Sequence, residues 1–396
     1  MENFNVIREI LELKNQLSYC KNISFFFGAG TSTALGIPNI SDLTDSIEGS
    51  LTGDLLKNFQ IIKKDLETTL PDRKINIEDI LNQTRRIREI TGEKEEKKYI
   101  EINGKSAKEL DVNICKKIYE IISQKEIEVN LQNTTKFLAW LNMQNRDFSK
   151  EIYTSNYDMI IEKSLEKIQI PYFDGFVGSY EPFFLPESVD KFVKNFDLTK
   201  SWIRLWKIHG SLSWFWKKDE DAKTFKIVRI GKIDKIVDDN NEIVIYPSRE
   251  KYDSSRKQPF IAYFDRLKNY LSEGELLFII SGYSFSDQHI NEIIFNSLRQ
   301  NNRLFIIVFS YSDSSVEDLY KLSSSFLNIS AFGPHKAIID GELKEWVFTK
   351  DENENYDSYW DESKGELMIG DFNKLVNFFI TNSGKKEKIE QIANDK

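Results

Sequence analysis

The chain has 396 residues, with 54 Lys and Arg against 63 Asp and Glu, a formal charge of −9. That balance argues against binding nucleic acid over the whole surface and leaves only a local or indirect contact. Two cysteines, Cys20 and Cys115, rule out a disulfide framework and a four-cysteine zinc site. No apolar run reaches the length of a membrane span, and the charged opening MENFNVIREILELKNQL lacks signal-peptide character. The expectation is a cytoplasmic protein with no membrane contact.

Phe4, Ile7, Ile10, Leu11 and Leu17 recur at helical spacing, predicting an amphipathic helix over 4–17. ISFFF (23–27) reads as a short buried strand, followed by the turn GAGTS (28–32) and a helix that Thr31 or Ser32 caps. From 42 to 145 the period is mainly helical, clearest at 77–90 and 106–123, with the charged TGEKEEKKYIEINGK (91–105) as an exposed hairpin or loop. Strands and helices then alternate. EIYTSNY (151–157) precedes a helix over 159–168, and LWKIHGSLSWFW (205–216) reads as strand, turn and strand. TFKIVRI and EIVIYP continue as β structure, and PFIAYFDRLKNYL (259–271) is helical. ELLFIISGYS (275–284) is a buried strand with a helix after it, and RLFIIVFS (303–310) is another. Strands ending in small polar residues and alternating with helices predict a doubly wound, Rossmann-like parallel sheet, which binds ligands at the carboxyl ends of its strands. Beyond 330 the pattern weakens: 351–366 reads as an acidic surface loop, 371–381 as a final amphipathic helix and 384–396 as a frayed tail. The expected organisation is a core of 1–41 and 146–330, a helical insertion at 42–145 and a C-terminal extension at 331–396.

Four strand ends carry candidate chemistry. Gly28-Ala29-Gly30 lets backbone N–H groups approach phosphate oxygens. A dinucleotide fingerprint wants a third glycine at 33, which is threonine, and an acidic residue about 20 positions on, where only Glu48 stands. By itself the turn is either a phosphate cradle or a tight strand-to-helix connection. TSNYD (154–158) sets Asn156 and Asp158 just past a strand, where the asparagine either orients a water or a sugar hydroxyl or forms an Asx-turn. KIHGS (207–211) places His209 at another strand end, where histidine can serve as a general base. SGYSFSDQHIN (281–291) offers Gly282, Tyr283, Ser284 and Asp287, or a helix cap at Ser286 or Asp287; His289 then lies within the helix, and His335 in a loop.

GAGTS with GIP, TSNYD, HGS and SGYSFSD, in this order, resemble the sirtuin family, and most closely the bacterial sirtuin-like proteins of anti-phage defence. The resemblance covers roughly 20–310. It implies a sirtuin-like fold and NAD as substrate. Gly28, Ala29, Gly30, Thr31 and Ser32 would line the pyrophosphate, and Ile37 and Pro38 would border the nicotinamide pocket. Asn156 and His209 would be catalytic, with Asp158 on the nicotinamide side. Gly282 and Ser284 would lie near the adenosine ribose, with Tyr283 and Asp287 also on the nucleotide. The paired Cys-x-x-Cys of deacetylating sirtuins is missing, so no zinc is expected, and the glycine turn continues as Gly36-Ile37-Pro38-Asn39-Ile40-Ser41 without their arginine. The resemblance therefore implies an NAD hydrolase releasing nicotinamide and ADP-ribose, depleting NAD in abortive infection. The alternatives are an NAD-dependent deacylase and a non-catalytic NAD- or ADP-ribose-sensing scaffold. It also implies a homo-oligomer and a HerA-type hexameric ATPase and translocase as partner. The insertion and the segment after 330 are the candidate docking surfaces, the insertion alternatively serving as a lid.

Overall fold

The computed structural model describes residues 3–20, 22–71, 74–144, 149–189, 202–218, 225–231, 241–245, 258–272, 274–350 and 354–394. Part of TFKIVRI, the end of EIVIYP, and residues 351–353 within the acidic stretch lie outside them.

The apolar runs form six parallel strands: β1 (Ile23–Phe27), β2 (Lys150–Thr154), β3 (Ile203–Lys207), β4 (Leu276–Ser281), β5 (Leu304–Phe309) and β6 (Ile329–Phe332). They lie in the order β3-β2-β1-β4-β5-β6, which is the doubly wound Rossmann arrangement. Beyond β6 the sheet continues with two antiparallel strands, β7 (Lys336–Ile339) and β8 (Glu342–Val347). The register pairs Phe27 with both Thr154 and Ser281, Thr154 with Lys207, and Ser281 with Phe309. Five strands therefore finish level, and the residues after each emerge side by side. The chain reverses its winding between β1 and β4, and a crevice opens there.

β1 and β4 are buried along their whole length because helices cover both faces of the sheet. Side chains of a strand alternate between faces. Phe25 and Phe27 thus meet Phe137 edge-on, at 4.9 and 5.3 Å between ring centroids, and pack with Trp140, Phe372 and Phe379 on one side. Phe26 joins Tyr153, Tyr263 and Phe278 on the other.

Helices Ile40–Ser50, Gly53–Thr69, Ile77–Thr91 and Gly104–Glu128 fill most of the expected helical stretch and have a core of their own around Phe59, Ile80 and Ile114. Asn76 starts the third of these with a capping box, its side chain accepting from the backbone of Glu78 and Asp79. The charged stretch at 91–105 includes the hairpin Lys98–Tyr99 with Ile102–Asn103. Helix Gln132–Asn142, by contrast, packs on the main sheet. A second, antiparallel sheet carries Gly210–Lys218, Phe225–Arg229 and Asn241–Ile245.

Two expectations for the C-terminal part are corrected. The tail is not frayed where it is described: Lys386–Asn394 is a helix against Gln132–Asn142, with Ile389 and Ala393, four positions apart on one face, buried. The acidic stretch is not simply a surface loop, because its aromatics Tyr359 and Trp360 are buried and Trp360 pairs with Leu367 in a short hairpin. Helix Phe372–Thr381 is present where expected and supplies Phe372 and Phe379 to the main core.

Candidate functional site

The glycine turn after β1 is locked to the turn after β4. Gly28 donates its N–H to the Ser281 carbonyl at 3.0 Å and Gly30 to the Gly282 carbonyl at 2.8 Å. A Cβ on Gly28 would stand 2.4 Å from the Gly282 oxygen, and one on Gly30 2.7 Å from the Gly282 Cα. Gly282 itself sits at φ +67°, a left-handed conformation that glycine adopts without strain. These glycines are required for two backbones to touch. Two of the N–H groups expected to face phosphate are therefore spent inside the turn, and Thr31 N–H likewise returns to the Gly28 carbonyl at 3.0 Å. The helix that follows, Ala29–Thr33, is a single short turn.

Asn156 emerges beside this turn from β2. Its Nδ2 donates to the Gly28 carbonyl at 3.1 Å, to Thr31 Oγ1 at 3.1 Å and to Ser32 Oγ at 2.8 Å. Ser32 Oγ in turn donates to Asp158 Oδ2 at 2.6 Å, and Asp158 Oδ1 accepts from the Ile160 N–H at 3.2 Å. Two segments more than a hundred residues apart thus share one hydrogen-bonded chain.

Under the Asn156–Asp158 loop lies Lys207, the last residue of β3 and 2 % exposed. It donates to the carbonyls of Tyr157 and Asp158 and to Glu162 Oε1 at 2.8 Å. Burial pushes the Glu162 carboxyl above its ordinary range, and the Lys207 charge works against that. Sequence reading missed this pair; the signal was a lysine inside the otherwise apolar LWKIHG. The insertion grips the same loop. Tyr157 donates to Glu78 Oε1 at 2.6 Å, and Glu126 Oε1 accepts the Met159 N–H at 2.7 Å. Burial, with Glu78 beside it, pushes the Tyr157 phenol well above its ordinary pKa.

His209 stands just past β3. The Ile208 N–H bonds to the Thr154 carbonyl at 2.8 Å, and Gly210, at φ +93°, turns the chain into the second sheet. His209 Nε2 is 2.9 Å from Asp287 Oδ2, both side chains being mostly buried. Asp287 also caps helix Gln288–Gln300, its Oδ1 accepting from His289 N–H at 2.9 Å. Tyr283 donates from its hydroxyl to the Asp287 carbonyl at 3.2 Å and to Asn291 Oδ1 at 3.0 Å, shaping the loop.

These segments enclose a cavity of about 880 Å³. Ala29, Gly30, Ser32, Ile37, Pro38, Asn156, Asp158, His209, Gly282, Tyr283, Ser284 and Asp287 all line it. Gly28 and Thr31 do not; they hold the turn together from within. The wall opposite comes from the insertion, through Asn76, Glu78, Asn82 and Ile118, and further lining comes from Tyr311, Ser312 and Asp371. Sequence reading put none of these in the site. Glu48 is not in it and pairs with Lys63 at 2.5 Å, while His289 is helical and His335 pairs with Asp313. Five carboxylates line the cavity, with no Lys or Arg among its described lining residues. Among the described residues, Ser281 Oγ and Asn82 Oδ1 are buried with no hydrogen-bond partner, although other atoms of both residues line the cavity. Such orphans are costly unless water meets them. The arrangement can therefore take a large polar ligand, orient it through hydroxyls and amides, and favour positive charge beside it.

No curated protein matches the chain. Among solved structures, a Sir2 homologue mutant in complex with 2′-O-acetyl ADP-ribose shares 12% identity over 75% of this chain and 83% of that one, with a TM-score of 0.36. A Sir2 protein bound to a propionylated peptide shares 14% identity over 78% and 88%, with a TM-score of 0.35. Residues 150–329, which carry Asn156, His209 and Asp287, match the SIR2-like domain family, and over that segment the chain is similar to it.

Proposed function

We propose that the protein hydrolyses NAD at the nicotinamide–ribose bond, giving nicotinamide and ADP-ribose. The observation that carries this reading is the convergence of Asn156, Asp158 and His209 with the glycine turn around one cavity at the reversal point of the sheet. The cavity is large enough for a dinucleotide, and its lining of serines and asparagines suits a ligand rich in hydroxyl and amide groups. Ser284 and Ser312 are among the lining hydroxyls suited to a pyrophosphate, whereas the Ser32 hydrogen is spent on Asp158. The carboxylate lining favours the cationic nicotinamide ring and the oxocarbenium-like charge that its departure leaves on the ribose.

The C–N bond breaks with both electrons going to the ring nitrogen, and neutral nicotinamide leaves. Water adds its oxygen to the anomeric carbon and passes a proton to His209. Asn156 holds the turn in place and orients the ribose or the water. Base assistance of this kind is worth ~10²–10⁴-fold.

The wider role follows from the sequence resemblance: depletion of cytoplasmic NAD in anti-phage defence, by a homo-oligomer working with a HerA-type hexameric ATPase. An unregulated NAD hydrolase would drain its own cell, which favours control by a separate partner.

The test is NAD consumption by the purified protein with separation of products, beside Asn156→Ala and His209→Ala. Nicotinamide and ADP-ribose from the wild type alone are expected. Nicotinamide release that depends on an acylated peptide would instead identify a deacylase. Binding without turnover, with and without a co-purified ATPase, would identify a sensing scaffold.

A further inference from the structure

His209 and Asp287 come from different halves of the sheet, yet Nε2 and Oδ2 stand 2.9 Å apart, the two side chains only 12% and 6% exposed. The carboxylate is divided between two tasks. Oδ1 accepts the N–H groups of His289 and Ile290 at the start of helix Gln288–Gln300, at 2.9 and 3.4 Å. Oδ2 faces the imidazole. An ionised carboxylate can only accept, and a neutral imidazole carries one N–H and one lone pair. Donation to Oδ2 therefore puts the ring hydrogen on Nε2.

We propose that Asp287 is a positioning residue that fixes His209 in the Nε2–H tautomer, making Nδ1 the atom that takes the proton from the attacking water. The reacting step then balances: the water oxygen bonds to the anomeric carbon, its proton goes to Nδ1, and the imidazolium so formed lies against the Asp287 carboxylate. That proton later returns to solvent. The tautomer assignment stands on the geometry alone; its use in turnover rests on the NAD-cleavage reading.

A helix cap would be a sufficient reason for Asp287, so the test separates capping from positioning. Asparagine and serine cap about as well as aspartate. In Asp287→Asn the retained Oδ1 keeps the cap, while Nδ2 replaces Oδ2 and donates to Nε2, driving the ring hydrogen to Nδ1. In Asp287→Ser the cap remains and the ring loses the Asp287 carboxylate. The chain has three histidines, so ¹⁵N spectra of histidine-labelled protein in mildly alkaline buffer are simple, with assignment through His289→Gln and His335→Gln. The expected result is an Nε2–H ring in the wild type, an Nδ1–H ring in Asp287→Asn and a mixture in Asp287→Ser. kcat for NAD should fall about 10²-fold in Asp287→Asn, of the order a general base supplies, with KM unchanged. An Nδ1–H ring in the wild type, a tautomer unmoved by Asp287→Asn, or wild-type kcat in that variant would overturn the proposal. An Nε2–H ring in a wild type that never turns over NAD would remove the cleavage reading and leave the tautomer assignment standing.

Discussion

Asn156 has two amide hydrogens for three acceptors, the Gly28 carbonyl and the hydroxyls of Thr31 and Ser32. It can satisfy them only by sharing, so the amide is a fastening for the glycine turn as well as a group beside the cavity. Asp at this position has the same shape but no donor, and would set a carboxylate oxygen against the Gly28 carbonyl. We expect Asn156→Asp to cost about 1–3 kcal/mol in denaturant unfolding and to abolish NAD turnover. A variant as stable and active as the wild type would show that the amide does not hold the turn. The type of residue was legible in TSNYD, and so was its place at a strand end. Its three partners were not, because two of those acceptors are hydroxyls of GAGTS, more than a hundred positions earlier in the chain.

At the scale of elements, the site is a contact between turns. The β1 and β4 turns meet through Gly28, Gly30 and Gly282, and a side chain on any of them would occupy its neighbour's backbone. Gly282→Ala combines a positive φ with a Cβ 2.4 Å from Thr31 N. The conformational strain alone is about 1–2 kcal/mol, and the clash adds to it. The expected outcome is a lowered melting temperature and lost turnover. Gly365→Ala is a useful control, since Gly365 also has positive φ (+67°) but nothing near its Cβ; equal losses in the two variants would argue against the interlock. The insertion acts at this scale too. Glu78 and Glu126 take hydrogen bonds from Tyr157 and Met159 on either side of Asp158, so helices of the insertion hold the loop that carries Asn156 and Asp158. The helical period of 77–90 was plain in the sequence, whereas the use of its first turn as a cavity wall was not.

Across the whole molecule, the core that supports the site contains a buried charge cluster. Glu151 of β2, fully buried, accepts from Tyr153 Oη at 2.7 Å, Trp206 Nε1 at 2.9 Å and Arg266 Nε at 3.1 Å. Burial raises its pKa, but the charges of Arg266 and Arg204 and the hydrogen bonds outweigh that and hold it below the ordinary 4.5. A carboxyl whose folded pKa is depressed adds stability above its unfolded pKa and loses it as the pH falls through the folded value. Glu151→Gln leaves Arg266 buried without its counter-charge and should cost about 3–5 kcal/mol at neutral pH. That penalty should shrink as the pH drops below 4.5; a penalty constant with pH would exclude the charge as its source. The sequence by itself determined the strands, most helices, the polar strand ends and the doubly wound class, because apolar period, turn residues and caps act over a few neighbouring positions. Only the tertiary structure decided which strand ends stand together, that His209 faces Asp287, that Lys207 lies beneath Asn156–Asp158, and that the C-terminal helix docks. Those pairings depend on strand order and register, which bring residues together across the fold and leave no mark in the local pattern.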